Sequence, residues 1–163
     1  MIEVERRFLV RDDGVLAGQS GDPIVQGYLF AQDGYCVRVR RTHGPDGERG
    51  ATLTAKGPRS DSMRLEYEVR LPPSVAAEFL RRAPFSLSKT RYALVDAGHL
   101  WSVDVFHGDN TGLVVAELEL GSPSERVALP AWVGAEVSDD RRYDNENLAQ
   151  TPWTRWGRAT DGP

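Results

Sequence analysis

The sequence predicts a β-dominated α+β fold, an eight-stranded antiparallel β-barrel forming a tunnel, with a few helices on its outside. Residues 1–10 alternate Glu3, Glu5 and Arg7 with Val4, Arg6, Phe8 and Val10, so two carboxylates and a cation share one face of an extended strand. Later segments repeat this alternation, and their polar faces carry charges of both signs at i, i+2 spacing in place of the usual Thr, Ser and Gln. A closed antiparallel barrel is the simplest geometry that gathers those faces. About eight strands give a bore that admits one small ligand.

Taken in order, residues 1–10 are the first strand, and residues 11–22, rich in Gly and Asp, read as a loop with room for a helical turn. Residues 24–30 are a strand, and Gln32-Asp33-Gly34 turns into residues 35–41, where Arg38 and Arg40 alternate with Val37 and Val39. Residues 44–50 read as a hairpin loop. Residues 51–56 set Thr52, Thr54 and Lys56 against Leu53 and Ala55. After a break at Gly57-Pro58, residues 63–71 set Arg64, Glu66, Glu68 and Arg70 against Leu65, Tyr67, Val69 and Leu71. Ser74 is the expected N-cap of a helix over 75–82 that Pro84 ends, with Val75, Phe79 and Leu80 against a sheet. Residues 86–95 carry Lys89 and Arg91, and residues 100–106 carry Asp104. After a turn at 108–112, residues 113–120 set Glu117 and Glu119 against Ala116, Leu118 and Leu120. A short strand at 135–138 and a helix at 145–150 follow; the chain reads as one domain over 1–157 with a frayed tail at 158–163.

Charge and composition exclude several classes. A net charge of -4 offers no electrostatic footprint for nucleic acid. No apolar run approaches membrane-spanning length, and the start Met-Ile-Glu-Val-Glu lacks the basic and apolar regions of a signal segment. The expectation is a cytoplasmic protein with neither a membrane nor a nucleic-acid partner. Cys36 stands alone and reads as a small strand residue. His43, His99 and His107 share no metal-ligand spacing, Ser20 lies outside any nucleophile elbow, and no phosphate-cradling glycine loop is present. Trp101, Trp132, Trp153 and Trp156 read as outer-face or cap packing. Of 20 Lys plus Arg, the lysines are Lys56 and Lys89, both on polar strand faces, which suggests sites that want a compact cation.

Collected, the polar faces place Glu3, Glu5, Glu66, Glu68, Asp104, Glu117 and Glu119 beside Arg7, Arg38, Arg40, Lys56, Arg64, Lys89 and Arg91. In a dry interior such groups would cost several kcal/mol per ion even when paired, so the lumen is expected to hold water and a ligand. Clustered carboxylates suit Mg²⁺ or Mn²⁺, and clustered guanidinium and ammonium groups suit phosphate. A phosphate chain chelated by a divalent cation satisfies both.

Glu3-Val4-Glu5-Arg6-Arg7 resembles the Glu-x-Glu-x-Lys signature of the CYTH family, the triphosphate tunnel metalloenzymes. Gln26-Gly27-Tyr28-Leu29, Val37-Arg38-Val39-Arg40, Lys56, Arg64-Leu65-Glu66-Tyr67-Glu68, Lys89-Thr90-Arg91-Tyr92, Val103-Asp104-Val105-Phe106 and Ala116-Glu117-Leu118-Glu119 are similar to its strand motifs, in its order. Glu136-Val137-Ser138 and residues 140–149 resemble its closing section. The resemblance implies an eight-stranded tunnel whose acidic strands bind Mg²⁺ or Mn²⁺ and whose basic strands hold a triphosphate. Family activities include inorganic triphosphatase, thiamine triphosphatase, RNA triphosphatase and adenylyl cyclase, so the fold leaves the substrate open.

The expectation is a metal-dependent hydrolase of inorganic triphosphate (tripolyphosphate) or a related small triphosphate. Glu3, Glu5 and Glu119 would hold the metal, with Glu117 and Glu68 in support. Arg38, Arg40, Lys56, Arg64, Lys89 and Arg91 would bind the phosphate chain, and Glu5, Arg7, Glu119 and Lys89 form the catalytic set. Arg7 departs from the signature lysine: it keeps the charge but is larger and binds as a fork. That departure leaves open a tunnel that binds polyphosphate or a nucleotide without turnover. A cyclase acting on ATP is a third reading.

Overall fold

The structure, a computed structural model, describes residues 2–156; the expected fraying of 158–163 lies outside the described residues. The strands are β1 (Ile2–Val10), β2 (Asp22–Gln32), β3 (Tyr35–Gly44), β4 (Gly47–Ser60), β5 (Met63–Arg70), β6 (Phe85–Asp96), β7 (His99–Phe106), β8 (Val114–Glu119) and β9 (Val133–Glu136). Around the wall they run β1-β5-β4-β3-β2-β6-β7-β8 and back to β1, all antiparallel, which closes the eight-stranded barrel that the alternation predicts. The short β9 pairs with β1 beyond the β5 contact and lies outside the ring. The helices are α1 (Pro73–Arg82), α2 (Asn145–Gln150) and α3 (Trp153–Trp156). Among the described residues no helix is long and apolar enough to cross a membrane.

Most of the apolar packing lies on the outside of the wall. Phe8, Trp101, Val103, Ala116 and Leu118 point away from the lumen and are covered by Trp132 and Val133, with Trp101 ring-edge packed between Phe8 and Trp132. On the far side α1 lays Ala76 on Val39 and Ala51. Gly27 permits that approach: a Cβ there would sit 2.7 Å from the Ala83 Cβ and 3.0 Å from Leu80. The third cluster closes one end of the barrel, where inward-facing Leu87, Phe106 and Val115 meet Leu148 of α2 and Tyr143.

Several local expectations need correction. The helix starts at Pro73, whose missing N–H costs nothing in a first turn, and Ser74 makes no capping bond. Residues 44–50 are mostly strand: β3 runs to Gly44 and β4 resumes at Gly47, whose φ of +113° suits glycine at the reversal. Gly57-Pro58 does not break the strand. Instead β4 continues to Ser60, and its register against β5 slips by one residue, from Lys56 opposite Glu66 to Arg59 opposite Arg64. The last short strand lies at Val133–Glu136 in place of 135–138.

Candidate active site

The lumen holds a cavity of about 510 Å³. Every site residue named from the sequence lines it: Glu3, Glu5, Arg7, Arg38, Arg40, Lys56, Arg64, Glu68, Lys89, Arg91, Glu117 and Glu119. Cross-strand register explains the gathering, because partners directly opposite share a face. Glu5 of β1 stands opposite Glu119 of β8, and Arg7 opposite Glu117. Arg38 of β3 stands opposite Thr54 of β4, itself opposite Glu68 of β5, while Lys56 faces Glu66. Arg91 of β6 lies opposite Asp104 of β7.

On the acidic side, carboxylates are crowded, and Glu3, Glu5 and Glu117 each lean on a cation. Glu3 meets Lys56 at 3.3 Å, and Glu5 receives Arg7 at 3.2 Å and Arg59 at 2.8 Å. Burial and the neighbouring Glu5 carboxylate push the Glu3 carboxyl up to about 7, against the pull of Lys56. For Glu5, burial alone would raise the pKa, but Arg7 and Arg59 outweigh it and hold the group at about 2. Glu117 accepts a 2.6 Å hydrogen bond from Arg91. Glu119 has no ion-pair partner among the described residues.

The basic side is tied together by a buried carboxylate on the same inward face. Asp104, fully buried, receives Lys89 at 2.6 Å and both Nε and Nη2 of Arg91 at 2.7 Å. Burial draws Lys89 down to about 8, with Asp104 opposing. Arg40 lies beside Gln26, its Nε 3.2 Å from the amide oxygen, and burial together with Arg38 and Arg91 lowers it to about 10. Arg64 lines the cavity but spends its guanidinium on the carbonyls of Gly57 and Gly34 and on Glu146.

Sequence reasoning missed Arg59 and the polar end of α2. The one-residue slip at Gly57-Pro58 reverses the alternation, so Arg59, an odd position in a strand whose even positions face inward, enters the lumen. A Gly-Pro pair inside a strand was the available signal, since bulges favour such residues. From the closed end, Asp144 reaches Arg7 at 2.5 Å, Asn145 reaches Lys89 at 3.0 Å, and Glu146 reaches Arg64 at 2.7 Å. Strand periodicity carries no information about these helix residues.

Among the described residues, three buried guanidinium nitrogens in this cavity have no hydrogen-bond partner: Arg7 Nη1, Arg38 Nε and Arg59 Nε. An unmade bond at a buried donor is costly, so these groups mark where acceptor oxygens belong.

No family model matches the chain. It is 38% identical over 154 residues to an inorganic triphosphatase of Acetivibrio thermocellus, covering 93% of this chain and 95% of that protein. It is 35% identical over 159 residues to an inorganic triphosphatase of Nitrosomonas europaea, covering 91% and 97%. The chain belongs to the inorganic triphosphatase family. A crystal structure of an inorganic triphosphatase superposes with a TM-score of 0.63 at 30% identity, over 90% of this chain and 93% of that one. A Pyrococcus horikoshii protein of solved structure, 22% identical with a TM-score of 0.55 over 75% of this chain and 80% of that one, shares the fold.

In this member of the inorganic triphosphatase family the carboxylates fit a hard divalent cation by donor chemistry. They are all oxygen donors, Glu5 and Glu119 are register partners, and the Glu3 carboxyl is crowded by other carboxylates in a way that added positive charge relieves. Among the described residues no three metal-binding side chains yet converge on one point, because Glu3, Glu5 and Glu117 are turned onto Lys56, Arg7, Arg59 and Arg91.

Proposed function

We propose that this tunnel hydrolyses inorganic triphosphate with the help of a divalent cation, as a triphosphate tunnel metalloenzyme. The observation that carries the reading is a single cavity in which a carboxylate layer faces buried guanidinium donors that lack acceptors. A phosphate chain supplies those oxygens. The names and extents of the two curated relatives support the same substrate.

Glu3, Glu5 and Glu119 would hold Mg²⁺ or Mn²⁺, with Glu117 and Glu68 in support. A divalent ion bound there supplies an activated water and neutralises phosphate charge. Arg38, Arg40, Lys56, Lys89 and Arg91 bind the chain, and Arg7 and Arg59 add donors on the acidic side. Phosphoryl transfer asks the protein mainly for position and charge, and Asp104 holds Lys89 and Arg91 in place for both. Arg64, engaged with carbonyls and Glu146, contributes to the cavity wall.

The test is phosphate release from tripolyphosphate, thiamine triphosphate and ATP, each with Mg²⁺, with Mn²⁺ and with chelator. Release dominated by tripolyphosphate and abolished by chelator is expected. Tight binding of tripolyphosphate with no release under any metal would replace this reading by a non-catalytic tunnel, and a cyclic product from ATP would replace it by a cyclase.

A further inference from the structure

Arg59 stands between two carboxylates. Its Nη2 lies 2.8 Å from Glu5 Oε1 and 4.0 Å from Asp144 Oδ1, and its side chain is 8% exposed. Both of those oxygens already accept Arg7, at 3.2 Å and 2.5 Å. Two guanidinium groups therefore share one oxygen of Glu5, while Arg59 Nε is buried and unbonded among the described residues.

The backbone that carries Arg59 is held on both sides. Arg64 Nε donates to the Gly57 carbonyl at 2.7 Å, and Arg141 Nη2 donates to the Arg59 carbonyl at 3.4 Å. The cross-strand partner of Arg59 is Arg64, another cation, so its guanidinium leans toward whatever anion the lumen offers. A fixed backbone and a side chain bonded through Nη2 leave that guanidinium able to change partner. A divalent cation at Glu5 would compete with it for one carboxylate, like charge against like charge.

We propose that Arg59 is a displaceable counter-cation of the metal site: it neutralises Glu5 until a divalent cation takes that carboxylate, and the released guanidinium then binds the phosphate chain. This rests on the hydrolase reading above, with Glu5 as a metal ligand, and adds a coupling between its two ligands. Asp144 gives the released group a second anchor, and its unbonded Nε gains an acceptor when it turns to phosphate. Coupling between two sites is reciprocal, so the phosphate that takes up Arg59 also tightens the hold of Glu5 on the cation. Arg59 enters the lumen through the slip in β4, so this coupling is separate from the cations that regular alternation supplies.

Arg59→Gln and Arg59→Met remove the charge and keep much of the length; each is used once its far-ultraviolet circular dichroism matches the wild type. Mn²⁺ is titrated into each protein without phosphate, with the free ion read by electron paramagnetic resonance. Tripolyphosphate binding is measured by calorimetry in chelator, and its KM with Mn²⁺. Both variants should bind Mn²⁺ about tenfold more tightly than the wild type, a usual size for coupled sites. Their affinity for tripolyphosphate should change far less in chelator than with Mn²⁺, where KM should rise about tenfold. Unchanged or weaker Mn²⁺ binding in the variants would overturn the proposal, since Arg59 would then be holding Glu5 in place for the cation. Equal losses of tripolyphosphate affinity with and without Mn²⁺ would also overturn it, and make Arg59 a fixed phosphate ligand. Both of these outcomes leave the hydrolase reading standing if the wild type releases phosphate. A wild type that neither binds Mn²⁺ nor releases phosphate would overturn the two together.

Discussion

Lys89 Nζ and Asp104 Oδ2 lie 2.6 Å apart, with side chains 1% and 0% exposed. The same carboxylate takes two hydrogen bonds from Arg91. One buried anion thus balances two of the cations that the lumen presents.

Replacing that anion tests its structural weight. Asp104→Asn leaves Lys89 and Arg91 side by side in the wall without their counter-charge. Removing one partner of a buried ion pair costs about 3–5 kcal/mol, and urea denaturation at neutral pH should show a loss of this order. A loss below about 1 kcal/mol, the size of an ordinary substitution, would mean that Lys89 sheds its proton instead.

Acid should expose the same dependence. Burial alone would raise the Asp104 pKa, but Arg91 and Lys89 outweigh it and hold the group well below the ordinary carboxylate range. Its pKa is therefore lower folded than unfolded, so its contribution is complete above an unfolded value of about 3.9 and is lost as pH falls below it. Unfolding followed from about pH 6 downward should steepen near pH 4 in the wild type and less so in Asp104→Asn. Parallel curves would remove Asp104 from the acid response.

Arg59 should act on substrate affinity. Its Nη2 holds Glu5 at 2.8 Å while its Nε is buried without a partner among the described residues. Arg59→Ala should raise the KM for tripolyphosphate about tenfold or more, the effect of losing a hydrogen bond to a charged group at ~1.5–3 kcal/mol. An unchanged KM would limit Arg59 to pairing with Glu5.

Arg7 has been built into its surroundings. From one nitrogen it donates to Glu5 at 3.2 Å and to Asp144 at 2.5 Å, leaving the other nitrogen for a ligand. A lysine ammonium cannot span that fork. Arg7→Lys should lower tripolyphosphate turnover by about tenfold, one charge-assisted bond's worth. A several-fold gain would reverse the view that arginine is an adaptation here.

Glu5→Gln keeps the shape of the side chain and removes one hard anionic donor. Divalent-cation-dependent turnover should drop by about two orders of magnitude, with the far-ultraviolet circular dichroism unchanged. Near-normal turnover in that variant would take β1 out of the metal site.

The barrel and most of its lumen were legible because period-two alternation has one consequence in a closed sheet: alternate residues meet inside. Glu5 facing Glu119 and Arg7 facing Glu117 follow from that rule. Arg59 escaped it because a one-residue slip at Gly57-Pro58 exchanges the two faces. Arg64 obeyed it yet turned out to grip the carbonyls of Gly34 and Gly57, partners that no periodicity names. Asp144, Asn145 and Glu146 enter from beyond the wall, through a packing of α2 on Leu87 and Phe106 that only the assembled chain displays.

The apolar clusters lie mostly outside the wall and the ionic groups within it, so neighbouring residues of one strand answer to different demands. Arg6 and Phe8 look outward, Arg6 to a bidentate pair with Glu136, while Glu5 and Arg7 look inward. Heritable change can therefore retune the chemistry at every second residue while the hydrophobic layer that resists unfolding stays as it is. A barrel arranged in this way can diverge in what it acts on long before it diverges in shape.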